Sequence, residues 1–354
     1  MQRKTFIRCA ALAGGAFLTR KMNESDPLAS TKMNTGETKL AIGHGQFKYN
    51  PIQGWGILNA EKNPVNDCHE WAWDSKGRIM LLTNETRNNV IIYDKSGKLL
   101  GVWGHEYPGA HGFSISRENG EDFLFITDLN RHIVVKTSIT GKVLMTFEYP
   151  RECKAYTKAE DFLPTETTVG PTGDIYITDG YGKQWIHQYT AKGEYIRSFG
   201  GPGNGVDQFD TAHGVTLDTR DPKRPSLLIT SRNHNALKRF SLDGKYMSTI
   251  LIPGAFVCRP VIHGKNVYAA VFRSVTNQNP ESGFFVVLDE NDKVVSAPGA
   301  NEPIYSQGVL NPIHQVEKVF MHPHDVLVDD DENVYVAQWN SHKTYPLKLE
   351  RAKA

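Results

Sequence analysis

The chain has 354 residues, with 40 basic and 39 acidic side chains and a formal charge of +1. That balance excludes holding nucleic acid or an anionic membrane by bulk electrostatics. Hydrophobic residues make up 39% and charged residues 22%, which supplies a large core and excludes a disordered chain.

From the N-terminus, Arg3, Lys4 and Arg8 form a basic patch ahead of a ten-residue apolar run at 9–18. The pattern reads as an export signal over residues 1–20, too short to span a membrane. A polar linker over 21–39 and a single folded unit over 40–354 are expected to follow, in a periplasmic or secreted protein. No stretch approaches the ~20 apolar residues of a membrane-spanning helix. Beyond the signal, Cys68, Cys153 and Cys258 are an odd number without a CxxC pair. No function is assigned to them.

A repeat organises the chain after residue 65. Each copy begins with an alternating strand and a polar turn. An apolar strand ending in Thr or Ser follows, then a third strand, a turn such as SGK or DGK, and a short fourth strand. Copies begin at His69, His111, Thr165, His213, Arg259 (degenerate) and His324. Units of ~40–50 residues with four short strands predict an all-β, six-bladed β-propeller. The last copy lacks an outer strand, which residues 40–65 can supply to close the ring.

Four copies open with histidine: His69, His111, His213 and His324. First strands line a propeller's central channel, so equivalent positions form a ring at one end. His111, His213 and His324 belong to alternate blades, about 120° apart, and should converge on the axis. Three neutral imidazoles suit Zn²⁺ at ~2.0–2.1 Å and leave a position open for water or substrate. Imidazole also suits Cu, Fe and Ni, so ligand type alone does not fix the metal. His69 is a fourth ligand, a partner to a ligand, or structural. The ends of the second strands fall on the same face. They bring Asp128, Arg131, Asp179, Tyr181, Ser231, Arg232, Gln338 and Trp339 toward the mouth. A tyrosine beside a cation and an arginine can act as a base, and an arginine can clamp a carboxylate.

The phrases HGVTLD with LLIT, and TTVGPTGDIYITDGYGKQWIHQYTAKGEYIRSFG, resemble NHL-repeat propellers over roughly residues 65–350. Within that group, AHGFSI (His111), AHGVTL (His213), HPHDVLV (His324) and Asp179-Gly180-Tyr181 resemble the peptidyl-α-hydroxyglycine α-amidating lyases. Those enzymes cleave a carbinolamide C–N bond to give a peptide amide and glyoxylate. The resemblance implies zinc on His111, His213 and His324, Tyr181 as base, and Arg232 as one of two arginines. It also implies a structural calcium on Asp325 and the carbonyl of Phe113. The family's other arginine has no clear counterpart, with Arg87 nearby. The family's disulfide beside DGY is missing, since Gly182 follows Tyr181.

The expected function is an exported zinc-dependent lyase acting on a small molecule or peptide. A lactonase-like hydrolase would need acidic and Asn calcium ligands where this ring offers histidines. A non-enzymatic propeller binding protein or glycan partners is the alternative from another class. Metal analysis with each histidine changed to Ala separates them.

Overall fold

A computed structural model describes residues 41–274 and 281–353. The predicted export signal and linker lie outside these residues. The described chain is built from short antiparallel strands, with one 3₁₀ turn at Ala159–Asp161 and no α-helix among the described residues. Among the described residues, no helix is long and apolar enough to cross a membrane.

Six sheets form the six blades. The first strands are Cys68–Trp73, Ala110–Glu118, Glu166–Val169, Ala212–Asp218, Ala255–His263 and Pro323–Val328. Each contacts the next around a closed circuit, and Pro323–Val328 returns to Cys68–Trp73. They therefore surround the axis, as the repeat predicts. Strand formation follows the residue types. Val, Ile, Leu and Tyr dominate second and third strands such as Ile79–Thr83 and Phe284–Leu288, which are buried along their whole length. Fourth strands such as Leu99–Trp103 alternate exposed and half-buried positions, as an outer edge facing water requires. The core lies between blades, where alternate residues of neighbouring sheets interdigitate. Tyr268, Phe285 and Val287 of blade five pack with Val326, Val334 and Val336 of blade six.

Blade six is completed from the other end of the chain. Phe47–Ile52 pairs with Leu347–Arg351 in the register Tyr49 to Arg351 and Ile52 to Lys348. Ile42–His44 adds a fifth strand outside it. This is the closure anticipated from the short last repeat.

The histidine-bearing strands share one irregularity. Register shifts fall between Cys68 and Glu70, Ala110 and Phe113, Ala212 and Val215, and Pro323 and Asp325. All four histidines sit inside these bulges. A bulge bends the strand and re-aims the extra side chain, here toward the axis. The first strand of blade three, Glu166–Val169, carries no histidine and pairs with its neighbour without a shift, while that of blade five is bulged around Phe256 and around Cys258 and Arg259.

Candidate metal centre and its mouth

His111, His213 and His324 converge as predicted. Their ring centroids are 4.8, 4.8 and 4.9 Å apart, a nearly equilateral triangle. His69 stands beside it, 5.1 Å from His111 and 4.9 Å from His324. All four are buried.

Hydrogen bonds fix two of these rings. His111 Nδ1–H donates to the Thr165 carbonyl (2.9 Å), and His324 Nδ1–H to the His69 carbonyl (3.1 Å). A carbonyl can only accept, so the proton is on Nδ1 and the Nε2 lone pair is free. His111 Nε2, both ring nitrogens of His213 and His69 Nδ1 are buried with no partner. Burial is the main cause that pushes His111, His213 and His324 well below the usual histidine range, and neighbouring positive charge adds to it. Burial alone takes His69 down to about 3. These are neutral imidazoles, the form a transition metal needs. Several buried, unpartnered nitrogens around one point are costly unless something shared satisfies them. A zinc-like ion fits that requirement.

The cage is larger than three histidines. Donor atoms of His69, His111 and His324 lie within 4.8 Å of one another, and so do those of His213, Cys258 and His324. The expected triad is thus divided between two sets that share His324, with His69 and Cys258 as additional donors. The Cys258 thiol was not anticipated. Among the described residues, Cys68, Cys153 and Cys258 are free.

Above the cage opens a cavity of about 510 Å³ lined by His69, His111, His324, Tyr181, Arg232, Phe272, Arg273 and Trp339, among others. Tyr181 follows the second strand of blade three, Ile175–Thr178. Its ring lies 5.2 Å from His111 and 5.5 Å from His213. Gly180 lets this turn approach blade four, since a Cβ there would come 2.2 Å from the Ala212 carbonyl oxygen. Arg232 Nη1–H donates to the Tyr181 hydroxyl at 2.9 Å. The same guanidinium donates from Nε to the Val257 carbonyl and from Nη2 to Cys258 Sγ (3.1 Å). It also lies 4.6 Å from the Phe272 ring centroid. Burial pushes the Tyr181 phenol up, and the Arg232 charge opposes that rise.

Other expected positions serve the scaffold. Asp128 accepts from the backbone N–H groups of Gly109, Asn130 and Arg131. Asp179 accepts from the N–H groups of Leu163 and Lys183 and from the Tyr156 hydroxyl. The structure does not bring Arg87 to the cavity. Its side chain is 62% exposed and pairs with Glu85 at 3.1 Å, because the turn after Ile79–Thr83 directs it into solvent.

Arg273 lines the cavity instead, at the end of the second strand of blade five, Asn266–Ser274. Its guanidinium lies 4.5 Å from the Phe272 ring centroid, and its Nε is buried without a partner. By register Phe272 holds the repeat position of Arg232, and Arg273 lies one residue further on, still at the strand end that faces the mouth. The rule that second-strand ends face the mouth, applied to the degenerate fifth copy, would have found Arg273.

The calcium expected on Asp325 and the Phe113 carbonyl does not fit these residues. The Arg259 guanidinium already takes both groups. It donates to Phe113 O at 2.8 Å, to Trp71 O at 3.1 Å and to both oxygens of Asp325. A calcium ion at 2.3–2.6 Å from the same oxygens would overlap it.

No family model matches the chain. Peptidylglycine alpha-amidating monooxygenase of Rattus norvegicus is 24% identical over 275 residues, 74% of this chain and 25% of that protein. The chain therefore spans about a quarter of the amidating monooxygenases it matches. NHL repeat-containing protein 3 of Homo sapiens is 25% identical over 264 residues, 70% of this chain and 69% of that protein. Among solved structures, a virginiamycin B lyase from Staphylococcus aureus superposes with a TM-score of 0.53 at 14% identity, covering 86% of this chain and 88% of that one. That likeness concerns the fold. Sequence similarity and blade architecture agree: the chain is a six-bladed β-propeller similar in sequence to NHL-repeat proteins.

Proposed function

We propose that this protein is an exported, metal-dependent lyase that cleaves a carbinolamide-like C–N bond in a substrate bearing a carboxylate. The observation that carries the reading is the triangle of neutral imidazoles under a tyrosine already paired with an arginine. The similarity to amidating monooxygenases over 74% of the chain supports it.

His111, His213 and His324 would hold the ion, with His69 and Cys258 as neighbouring donors. Zinc suits this set, and when bound it supplies positive charge that favours the anionic forms of the phenol and of a substrate hydroxyl. The protein's own residues do the rest. Arg232 positions the Tyr181 oxygen and keeps a positive charge beside it. Tyr181, as phenolate, accepts the proton of the substrate hydroxyl. The O–H electron pair becomes the second bond of an aldehyde carbonyl as the C–N bond breaks. The departing amide nitrogen takes the proton back from Tyr181, so no other reactant is needed. Arg273, with an unpartnered Nε at the cavity wall, receives the carboxylate, and Phe272 and Trp339 offer apolar surface to the remainder.

The test joins elemental analysis of the folded protein with glyoxylate release from a peptide ending in α-hydroxyglycine. One zinc-like ion per chain, lost when any one of the three histidines becomes Ala, is expected together with turnover. Metal that survives the loss of two of them overturns the site. A folded, metal-free protein without turnover points to the non-enzymatic binding propeller instead.

A further inference from the structure

We propose that Arg259 is a built-in cation at the centre of the propeller, and that this chain has no structural requirement for calcium at that position. Beneath the histidines, three carboxylates converge: Glu70 of blade one, Glu166 of blade three and Asp325 of blade six, all fully buried. Two backbone carbonyls, Trp71 and Phe113, point at the same spot. So dense a set of buried oxygens calls for a positive charge.

The guanidinium supplies it with directional bonds. Nε and Nη2 grip Asp325 as a fork, Nη2 also reaches Trp71 O, and Nη1 bonds Phe113 O. Nη1 further lies 3.4 Å from Glu70 Oε2 and 3.7 Å from Glu166 Oε2. An arginine matches this cage because its planar N–H donors satisfy several oxygens at once and it stays charged at any relevant pH. Blade four makes room for it: a Cβ on Gly214 would come 2.6 Å from the Arg259 Cα. One side chain from blade five thereby reaches blades one, two, three and six.

The proposal does not depend on the lyase reading, since it concerns the cage below the histidines. It is tested on the full chain by calorimetric titration with CaCl₂ and by thermal melts with and without millimolar CaCl₂. Wild type should bind no calcium at this centre, and its melting temperature should not move. Arg259→Ala should melt lower and regain part of the loss in calcium, because the freed oxygens then form a cation site. Arg259→Lys keeps a charge without the fork and should fall between the two. If Arg259→Ala does not fold, the wild-type titration and the lysine variant decide. One calcium per wild-type chain, abolished by Asp325→Asn, would overturn the proposal. So would an Arg259→Lys or Arg259→Ala protein that melts like wild type.

Discussion

Tyr181 and Arg232 act as a pair joined by one 2.9 Å hydrogen bond. Removing the phenolic oxygen should therefore spare binding and remove the proposed base. Tyr181→Phe is expected to keep the wild-type metal content and lose about 10²–10⁴ in kcat, measured by glyoxylate release. Arg273→Ala should act differently, raising KM for the carboxylate substrate more than it lowers kcat. Equal effects from both variants would argue against separate roles. The histidines were legible in the sequence because each opens a repeat, and propeller symmetry turns repeat position into spatial position. Tyr181 and Arg232 followed from the same rule. Arg87 did not, because it sits in a turn whose direction no repeat specifies. Arg259 and Cys258 were hidden for another reason. Their partners come from other blades, so only the folded ring shows what they face.

Within a blade, small and charged residues set how closely neighbouring sheets approach. Gly112, next to His111, has no room for a side chain: a Cβ would lie 2.4 Å from the Thr165 carbonyl oxygen. That carbonyl also accepts the His111 ring proton. Gly112→Ala should therefore displace both, lowering the melting temperature and weakening metal retention together, readable by a thermal melt and elemental analysis. Blades four and five are joined near the surface by Asp218 and Asp292 with Arg220 and Arg239, at 2.6–2.9 Å. Burial disfavours the Asp218 charge, but hydrogen bonds from the two arginines prevail and hold its carboxyl at about 2. A carboxyl depressed in the folded state stabilises above its ordinary pKa of 3.8, and that stability fades as pH falls toward 2. Asp218→Asn should then cost about 2 kcal/mol at pH 7 and progressively less below pH 4, measured by urea melts across pH. A cost that stays constant with pH would show that the carboxylate is not the stabilising species.

For the whole molecule, the decisive contact joins sequence positions some three hundred residues apart. The sequence showed that the last repeat lacked an outer strand. The identity of the closing strand came only with the register of Phe47–Ile52 against Leu347–Arg351. Its residues are not repeat-like, so its assignment rests on burial. Ile42, Phe47 and Tyr49 are each 3% exposed or less, and they pack against Tyr268, Phe285 and Leu349. At roughly 2 kcal/mol per large apolar side chain, the three contribute about 6 kcal/mol. A chain beginning at residue 53 should therefore lose on the order of 10 °C in melting temperature. It would also leave the Leu347–Arg351 edge unpaired, open to proteolysis and association. Supplying a peptide of residues 41–52 in trans should restore part of the loss, because the groove it vacates is formed by blades five and six. The expected readouts are a thermal melt with and without peptide and the rate of limited proteolysis at the C-terminal strand. If the truncated chain melts as the full one does, the ring is held shut by contacts between first strands around the axis, and the Arg259 cage becomes the main clasp of the propeller.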